Sequence, residues 1–465
     1  MVPMHMPGHK RNTSLSGKGG YLEKLGAFAD ITEIDGFDNL NAPHGLFLQS
    51  MQKAAALWRS EETLFSVNGS TGGILAAIYG SVPYGGKVII ARNCHKAVYN
   101  ALELRGAEVV YALPRQNCST GIWGTSEADT IAALLDNHPD TRLVIVTSPT
   151  FEGIVSDIRK ICGICHGRKI PLMVDEAHGC HLGFGYGFPE SAVNGMADIV
   201  VESIHKTLAG LTQTALVHLN GSLIDRREIR RGLTVFQSSS PSYILSASID
   251  GCIRLLKQHG SALFENWQRN LDRFYEHVCG LKHLSFLQKT DGIFAFDRSK
   301  IVILTGSSGL TGKALARILQ QRYRIEPEMS APAYVIAMTG IGDTWDNLRR
   351  LADALIEIDE TCSSQEQNFV FPEFVLPEKV WKASETEPLA KTAVSLSSAA
   401  GHVSGEYIMA YPPGVPLLVP GEKITPSVVW QIRSYLQCGI NMISTYSGLP
   451  EKIFVIKTEP KLESF

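Results

Sequence analysis

A lysine stands directly after an apolar strand pattern in the middle of the chain. Lys206 lies in the segment SIHKT (203–207), which follows the run DIVVE (198–202). A lone lysine after a strand is usually solvated. At the mouth of a ligand crevice, however, a lysine is partly desolvated, and its neutral amine can then form an imine with a carbonyl compound. We therefore predict that Lys206 is a catalytic residue.

A carboxylate occupies a similar place after another apolar run. The segment DEAH (175–178) follows IPLMV (170–174). An acidic side chain against a pyridine nitrogen keeps the ring protonated, and this protonation makes pyridoxal phosphate (PLP) an electron sink. Asp175 fits that role, whereas Glu176 is better explained as a cap of the next helix. The lysine and the aspartate together predict PLP as the cofactor.

A glycine-rich turn gives the third chemical signal. The segment NGSTGG (68–73) lies between an apolar strand pattern and an apolar helix pattern. Ser70 and Thr71 at a helix start can donate to a phosphate together with the free N–H groups, and a glycine such as Gly72 lets the backbone approach the ligand. His95 stands at the head of the next helix, where it could stack on a planar ring or simply cap the helix. We predict a phosphate site at this turn.

The elements that must position these residues are strands and helices in alternation. Seven apolar runs, rich in Val and Ile, alternate with amphipathic segments of helix length between Leu64 and Asn220. This pattern is typical of βα units around a parallel sheet, whose functional residues lie at the carboxyl ends of the strands. The predicted strands are LFSV (64–67), KVIIAR (87–92), EVVYAL (108–113), RLVIVTS (142–148), IPLMVDEA (170–177), DIVVESI (198–204) and TALVHLN (214–220).

The remainder of the chain predicts smaller units. Residues 223–280 have the pattern of successive helices, 292–360 repeat an α/β pattern, and 361–390 are polar enough for a connection. The predicted divisions are an N-terminal segment (1–45), a PLP-binding large domain (46–285), a small α/β subdomain (286–365) and a C-terminal subdomain (366–465).

Composition favours small-molecule chemistry. The chain has 465 residues, 44% hydrophobic and 19% charged, with a formal net charge of −3. This balance gives no overall positive field for nucleic acid or anionic lipid, so neither is an expected partner. The 9 cysteines are odd in number and scattered, and no apolar stretch has the length of a signal peptide or membrane helix. We therefore expect reduced thiols and a cytoplasmic protein.

Six motifs, in order along the chain, resemble the Orn/Lys/Arg decarboxylase family of the aspartate-aminotransferase-like (fold type I) PLP enzymes. The resemblance implies a large PLP-binding domain with smaller α/β C-terminal subdomains. Length and motif positions are similar to the short members of the family, which lack the N-terminal wing domain. The motifs are MPGHK at the start, GST (69–71), DEAHG (175–179), SIHKTL (203–208), QSSSPSY (237–243) and YPPGVPLLVPGE (411–422).

The resemblance assigns a role to each matching residue. It implies that Lys206 is the Schiff-base lysine, that Asp175 is the partner of the pyridine nitrogen, and that His95 stacks on the ring. His178 would lie beneath or beside the ring, near Asp175. The residues implied to hold the phosphate are Ser70, Thr71, Ser203 and His205.

The same resemblance implies a homodimer with composite active sites. QSSSPSY is similar to a segment that reaches the cofactor phosphate of the neighbouring subunit, which would give that role to Ser238, Ser239 and Ser240. A higher assembly of dimers is left open by the sequence.

The implied reaction is decarboxylation of arginine, lysine or ornithine to the amine and CO2, which would feed polyamine metabolism. Arginine is favoured, because a carboxylate can hold its planar guanidinium through two hydrogen bonds. Two acidic groupings could meet the cationic side chain, although each acidic residue taken alone could equally be solvated surface. They are Asp30, Glu33, Asp35 and Asp38 in one segment and Glu326 and Glu328 in another.

Other interpretations are weaker or stay open. DEAH is also a helicase motif, but the phosphate-binding sequence of that class is missing upstream. CGICH (162–166) matches a haem-attachment pattern, yet a helix that packs two thiols against the sheet explains it better. His178 and His181 lack the spacing of a zinc site, and we predict no metal. An aminotransferase or a C–S or C–C lyase of fold type I remains the alternative.

Overall fold

The computed structural model describes residues 4–17, 20–289, 293–363, 371, 373–411, 414–437, 440–446 and 448–457. Strands and helices follow one another in the order that the sequence predicts. The first half of the chain contains α1 (Tyr21–Lys24), α2 (Leu46–Trp58), β1 (Glu62–Ser66), α3 (Gly69–Ser81), β2 (Lys87–Ala91), α4 (Lys96–Leu104), β3 (Glu108–Ala112), α5 (Ala128–Asn137), β4 (Thr141–Thr147), β5 (Ile154–Val155), α6 (Ile158–His166), β6 (Leu172–Asp175), β7 (Ile199–Ser203), α7 (Ile204–Thr207) and β8 (Ala215–Leu219).

The second half contains two long helices and two groups of shorter strands. These elements are α8 (Arg226–Phe236), α9 (Tyr243–His277), β9 (Ser285–Phe286), β10 (Ala295–Phe296), β11 (Lys300–Leu304), α10 (Gly312–Tyr323), β12 (Met329–Ser330), β13 (Tyr334–Met338), α11 (Trp345–Thr361), β14 (Lys391–Ser395), β15 (Ile408–Ala410), β16 (Val415–Leu418), α12 (Pro426–Gln437), β17 (Met442–Ser444) and β18 (Lys452–Ile456).

The central sheet has seven strands in the order β1-β8-β7-β6-β4-β2-β3. Each of the seven predicted apolar runs forms one of them, so the mainly parallel seven-stranded sheet is confirmed. Strand β8 alone in this sheet is antiparallel to its neighbours. The reason is the short connection 204–214, because a crossover between parallel strands needs a dozen or more residues.

Strand register brings distant polar residues to one edge of this sheet. Thr147 at the end of β4 lies beside Asp175 at the end of β6. Ser66 and Ser203, which end β1 and β7, both lie opposite Ala215. The carboxyl ends of the parallel strands therefore share one edge, which is where ligands bind in such sheets.

Close packing places the start of α3 at the same edge. A Cβ atom at Gly73 would lie 2.8 Å from Val217 Cγ2 and 3.0 Å from Val201 Cγ1. Only a glycine therefore lets the helix lie this close to β7 and β8 without displacing the valines. The N-terminus of α3 is held next to the end of β7 as a result.

Two smaller units follow the large sheet. Strands β12, β13, β11 and β9 form an antiparallel sheet, whereas β10 pairs with β5 instead. The C-terminal strands form a two-stranded and a three-stranded sheet with an apolar cluster of their own. Part of the predicted connection, residues 364–370 and 372, lies outside the described residues. The predicted domain boundaries stay predictions.

A buried arginine joins the large sheet to the C-terminal unit. Arg92, directly after β2, is 1% exposed. Its guanidinium donates to the carbonyl oxygens of Pro416 and Leu417 and, over 3.3 Å, to Glu422 Oε2. It also donates to the Tyr99 hydroxyl at 3.0 Å. These contacts fix the C-terminal segment against the edge of the large sheet that carries the polar residues.

We predict that Glu422→Gln lowers the free energy of unfolding by about 3–5 kcal/mol, because removal of one partner leaves a buried charge uncompensated. Urea unfolding followed by tryptophan fluorescence measures this loss. Lys160→Met is the control, since Lys160 pairs with Asp129 on the exposed surface, and it should leave the midpoint unchanged. Equal midpoints for Glu422→Gln and the control would contradict a stabilising role for the buried pair.

Candidate active site

A cavity of about 610 Å³ opens at the carboxyl edge of the large sheet. The large sheet, the small antiparallel sheet and the C-terminal unit all contribute to its walls. Eight of the eleven sequence-predicted catalytic and cofactor-binding residues line it, namely Ser70, Thr71, His95, Asp175, His178, Ser203, His205 and Lys206. The structure therefore brings together residues that are far apart in the sequence.

Lys206 lies on the short helix α7, one turn after β7, and its amine contacts a histidine. The Lys206 Nζ to His178 Nε2 distance is 2.8 Å. Burial lowers the pKa of Lys206 below its usual 10.5, and the charge of Lys300 lowers it further, whereas Asp175 and Glu328 raise it. The amine is thus more easily deprotonated than an exposed lysine, as a nucleophilic amine requires.

As a neutral ring, His178 accepts a hydrogen bond from the Lys206 amine. Burial, followed by the charges of Lys206 and Lys300, holds the pKa of His178 well below its usual range. The edge of the Phe151 ring packs against it, with ring centroids 4.8 Å apart. Within the described part of the chain, His178 Nδ1 is buried and has no hydrogen-bond partner. A buried polar atom of this kind is the sort that a bound ligand satisfies.

Asp175 is a buried carboxylate at the end of β6. It is 3% exposed, and its Oδ1 accepts a hydrogen bond from the backbone N–H of Ala177 over 3.2 Å. Burial raises the pKa of Asp175, and the charge of Lys206 opposes that rise. Asp175 forms no salt bridge within the described ranges. A cationic ring nitrogen would therefore offset the cost of burying this charge.

The start of α3 faces the end of β7 across a short hydrogen bond. Ser70 Oγ lies 2.6 Å from Ser203 Oγ. The N-cap residue Asn68 makes no side-chain hydrogen bond to the first turn of the helix. His205 Nδ1 donates to the backbone oxygen of Thr214 over 3.0 Å, so its Nε2 remains as an acceptor or a second donor. Hydroxyls, helix N–H groups and an imidazole at one place suit a phosphate.

His95 both caps α4 and lines the cavity. Its Nδ1 accepts a hydrogen bond from the backbone N–H of Ala97 over 3.2 Å. Burial, with smaller contributions from Lys206 and Lys96, lowers the pKa of His95 to about 4. A Cβ atom at Gly414 would lie 3.4 Å from the ring. The cap thus fixes a neutral, flat ring beneath the C-terminal segment, and the two roles considered for His95 are compatible.

Comparison with known proteins identifies the family. Residues 2–289 match the family description "Orn/Lys/Arg decarboxylase, major domain", and residues 371–461 match the C-terminal domain of the same family. The first match alone spans more than half of the 465 residues. The chain belongs to the Orn/Lys/Arg decarboxylase family. The predicted family is therefore confirmed.

Individual relatives agree with this membership. The chain is 29% identical to the arginine decarboxylase of Bacillus subtilis (strain 168), over 99% of this chain and 96% of the relative. Its fold is similar to that of the lysine decarboxylase LdcF of Francisella novicida, with a TM-score of 0.83, 18% identity, and coverage of 98% of this chain and 79% of that one.

The likeness extends to an aminotransferase. An alanine–glyoxylate aminotransferase from Nostoc sp. gives a TM-score of 0.55 at 16% identity, covering 69% of this chain and 88% of that one. The predicted aspartate-aminotransferase-like (fold type I) α/β architecture is therefore confirmed.

Three of the predicted residues lie outside the cavity of this decarboxylase-family chain. Gly72 does not line it, and a Cβ atom there would lie 2.9 Å from Asn68 Cβ, so close packing explains this glycine. Ser239 and Ser240 are exposed in the connection between α8 and α9. The neighbouring Ser238 is exposed as well, and a role for these serines in a partner subunit's site stays a prediction.

The predicted acidic groupings contribute one residue to the cavity, Glu328. The N-terminal grouping, from Asp30 to Asp38, does not line it. Asp38 instead accepts hydrogen bonds from the backbone N–H groups of Gly45 at 2.8 Å and Phe47 at 2.9 Å, and so it holds the turn that starts α2. The Glu326 carboxylate accepts a hydrogen bond from the Gln320 side chain over 2.7 Å.

Sequence reasoning missed several residues of the cavity wall. Phe151 and Glu152 follow β4, so the rule that ligands meet the carboxyl ends of strands could have found them. Tyr334 on β13 and Trp123 carry no local signature of a site. They reach the cavity only because the small sheet and a long loop fold over the large sheet.

The cysteines and histidines of the haem-like and zinc-like patterns make packing and polar contacts in the described ranges. Cys162 and Cys165 are buried on α6, where burial raises their pKa values to about 11 and about 12, so the helix-packing interpretation is confirmed. His181 lies against Asp297, with Nε2 and Oδ2 3.2 Å apart. Among the described residues no three His, Cys, Asp or Glu side chains converge as metal ligands, and no helix is both long and apolar enough to traverse a bilayer.

We predict that Asp175→Asn lowers the pKa of the Lys206 amine, because Asp175 is the strongest of the charges that raise it. The measurement is the rate at which a mild reagent acetylates Lys206 as a function of pH, read by mass spectrometry in the absence of carbonyl ligands. Only the neutral amine reacts, so the profile should move to lower pH.

Glu328→Gln is the matched control for this experiment. Glu328 acts on the same lysine more weakly than Asp175, so its substitution should move the profile in the same direction by a smaller amount. An unchanged or higher midpoint in Asp175→Asn would mean that the carboxylate does not act on the lysine.

Proposed function

We propose that this protein binds PLP through Lys206 and decarboxylates a basic amino acid, with arginine as the first candidate. The observation that carries the proposal is the pairing of Lys206 with a neutral His178 in a cavity that also holds Asp175 and Glu328. Family membership and the name of the Bacillus subtilis relative, arginine decarboxylase, support it.

The residues present suit the ring of PLP. Bound PLP supplies an electron sink for the pair of electrons that decarboxylation leaves on Cα. Asp175 would hold the proton on the ring nitrogen, and the fixed His95 ring would support the face of the cofactor. The buried, unpartnered Nδ1 of His178 fits a polar atom of the ligand.

The other end of the site suits a phosphate. Ser70 and Ser203 present their hydroxyls at the start of α3, where the partial positive charge of a helix N-terminus favours an anion. Thr71 and His205 line the same part of the cavity. We assign these four residues to the phosphate.

The charge of Glu328 would hold the substrate, and the side chains of His178 and Lys206 would hold and deliver a proton. Glu328 lines the cavity and is solvent-exposed there; desolvation raises its pKa, and the charges of Lys206 and Lys300 lower it. It would attract the cationic end of the amino acid. His178 Nε2 and Lys206 Nζ are one hydrogen bond apart, so a proton can be held between them and delivered to Cα after CO2 leaves.

We further propose that the protein works in the cytoplasm as a homodimer, and that its product enters polyamine metabolism. The exposed position of Ser239 and Ser240 is compatible with a contact to a second subunit. The resemblance of QSSSPSY to a segment that reaches the neighbouring site supports this arrangement.

The test of the reaction is direct. Purified protein with PLP is incubated separately with arginine, lysine and ornithine, and CO2 and the matching amine are measured. We expect turnover of at least one of them, with arginine fastest, and no turnover by Lys206→Ala. After borohydride reduction, the pyridoxyl group should be found on Lys206.

Two results would overturn the proposal. Faster turnover of aspartate, cysteine or an α-keto acid acceptor than of all three basic amino acids would favour an aminotransferase or a C–S or C–C lyase. A pyridoxyl group on a different lysine would remove Lys206 from its role.

Composite sites predict complementation between two inactive chains. A Lys206→Ala chain mixed with a chain carrying Ser239→Ala and Ser240→Ala should regain partial activity, because each mixed dimer contains one intact site. Lys206→Ala mixed with Asp175→Asn is the control and should stay inactive, since both residues belong to the same chain's site. Absence of recovery, once mass spectrometry has shown subunit exchange, would contradict shared sites.

A further inference from the structure

A third carboxylate, besides Asp175 and Glu328, lies in the wall of the same cavity. Glu152 follows the end of β4, lines the cavity and is 7% exposed. Its Oε1 accepts a hydrogen bond from the hydroxyl of Tyr334 on β13 over 2.8 Å. The pair thus joins the large sheet to the small sheet at the wall of the cavity.

The Glu152 carboxylate has a hydrogen-bond donor but no cationic partner among the described residues. Within the described part of the chain it forms no salt bridge, whereas the comparably buried Glu422 is paired with Arg92. Burial raises the pKa of Glu152, and the hydroxyl of Tyr334 offsets only part of that effect. A buried carboxylate with no positive partner is costly, and a cation brought by a ligand would remove that cost.

The electrostatic surroundings separate Glu152 from Glu328. The charges of Lys206 and Lys300 lower the pKa of Glu328, but among the described residues no lysine shifts the pKa of Glu152. Glu328 therefore interacts electrostatically with the reacting amine, whereas the buried Glu152 carboxylate is directed to the Tyr334 hydroxyl on the small sheet.

Aromatic side chains line the same cavity. Trp123, Phe371 and Tyr435 share it with Tyr334. Aromatic faces attract cations, guanidinium groups above all. A long cationic side chain therefore meets an environment that favours it beyond Glu328.

We propose that Glu152 is a specificity-determining residue that receives the distal cation of the longer basic substrates. The inference rests on the proposed function and adds a physical basis for the choice among arginine, lysine and ornithine. Arginine places its cation furthest from Cα and can donate two parallel hydrogen bonds to a carboxylate, so it gains most from Glu152. Ornithine, with the shortest side chain, would rely on Glu328.

The experiment compares binding of three amines to PLP-loaded protein by calorimetry, with agmatine, cadaverine and putrescine as probes for arginine, lysine and ornithine. Glu152→Gln keeps the shape and the acceptor for Tyr334 but removes the charge. We expect agmatine to bind about tenfold more weakly or worse, as for loss of a charge-assisted hydrogen bond. Putrescine binding should change by less than about twofold, which is much smaller than the loss expected for agmatine.

The chain offers a matched control and a second variant. Glu357 accepts a hydrogen bond from the Tyr323 hydroxyl over 2.8 Å on the exposed surface, so Glu357→Gln repeats the chemical change away from the cavity and should alter no affinity. Tyr334→Phe leaves the Glu152 carboxylate in place, and the preference for agmatine over putrescine should persist. If Glu152→Gln does not fold, Glu152→Asp carries the test, because it keeps the charge but withdraws it by one methylene group and should still weaken agmatine binding more than putrescine binding.

Equal weakening of all three amines by Glu152→Gln, or no weakening, would overturn the inference. If Glu152 only held Tyr334 in place, its loss would not affect long amines more than short ones. Loss of the agmatine preference in Tyr334→Phe would do the same. Wild-type turnover decides the proposed function separately. If the protein binds agmatine in a Glu152-dependent manner but decarboxylates no basic amino acid, the reaction is wrong and the assignment of Glu152 stands.

Discussion

Two lysines that both contact His178, Lys206 and Lys300, set the main constraint on this molecule. Lys300 is fully buried, and its amine donates to Asp297 Oδ2 at 3.0 Å and to the backbone oxygen of His178 at 3.1 Å. Despite burial, Lys300 and His181 hold the pKa of Asp297 well below its usual range, so this carboxylate stays charged. A permanent ion pair therefore lies beneath the residue that contacts Lys206.

This arrangement has two consequences for the site. The hydrogen bond from Lys300 fixes the backbone of His178, and hence the position of the ring that accepts a hydrogen bond from the Lys206 amine. The positive charge of Lys300 also lowers the pKa of His178 and the pKa of Lys206. A single buried cation thus serves as an anchor and as a source of the electrostatic field that favours a neutral amine.

Much of the fold and of the cofactor end of the site could be predicted from the sequence, because both depend on local patterns. Apolar runs of strand length identified the seven strands, and the carboxyl-end rule placed Asp175 and Lys206 at one edge. The antiparallel direction of β8 depends on the length of the connection before it, which the apolar pattern of the strands does not reveal. The glycine-rich turn predicts a ligand contact at Gly72, whereas the structure places this residue outside the cavity and close to Asn68.

The end of the cavity that we assign to the substrate could not be predicted in this way, because it is built by tertiary contacts. Glu152, Tyr334 and Phe371 come from the large sheet, the small sheet and the approach to the C-terminal unit, and no short motif joins them. The N-terminal acidic grouping has more carboxylates for a cationic ligand, yet its Asp38 accepts hydrogen bonds from backbone N–H groups instead. A count of carboxylates in the sequence therefore says little about where a cationic ligand is bound.

The division between these two ends has a physical cause. The PLP chemistry that fold type I enzymes have in common needs a fixed lysine, carboxylate and phosphate site, and one edge of a parallel sheet supplies all three with short-range geometry. The wall that we assign to the substrate combines Glu152 of the large sheet with Tyr334 of the small sheet, and the C-terminal unit beside it is held by contacts such as Arg92 with Glu422. Changes in the smaller units can alter this wall while the polar edge of the large sheet stays the same. Under that assignment, specificity depends in part on how the smaller units are positioned, and the buried arginine contributes to that positioning even though it does not line the cavity.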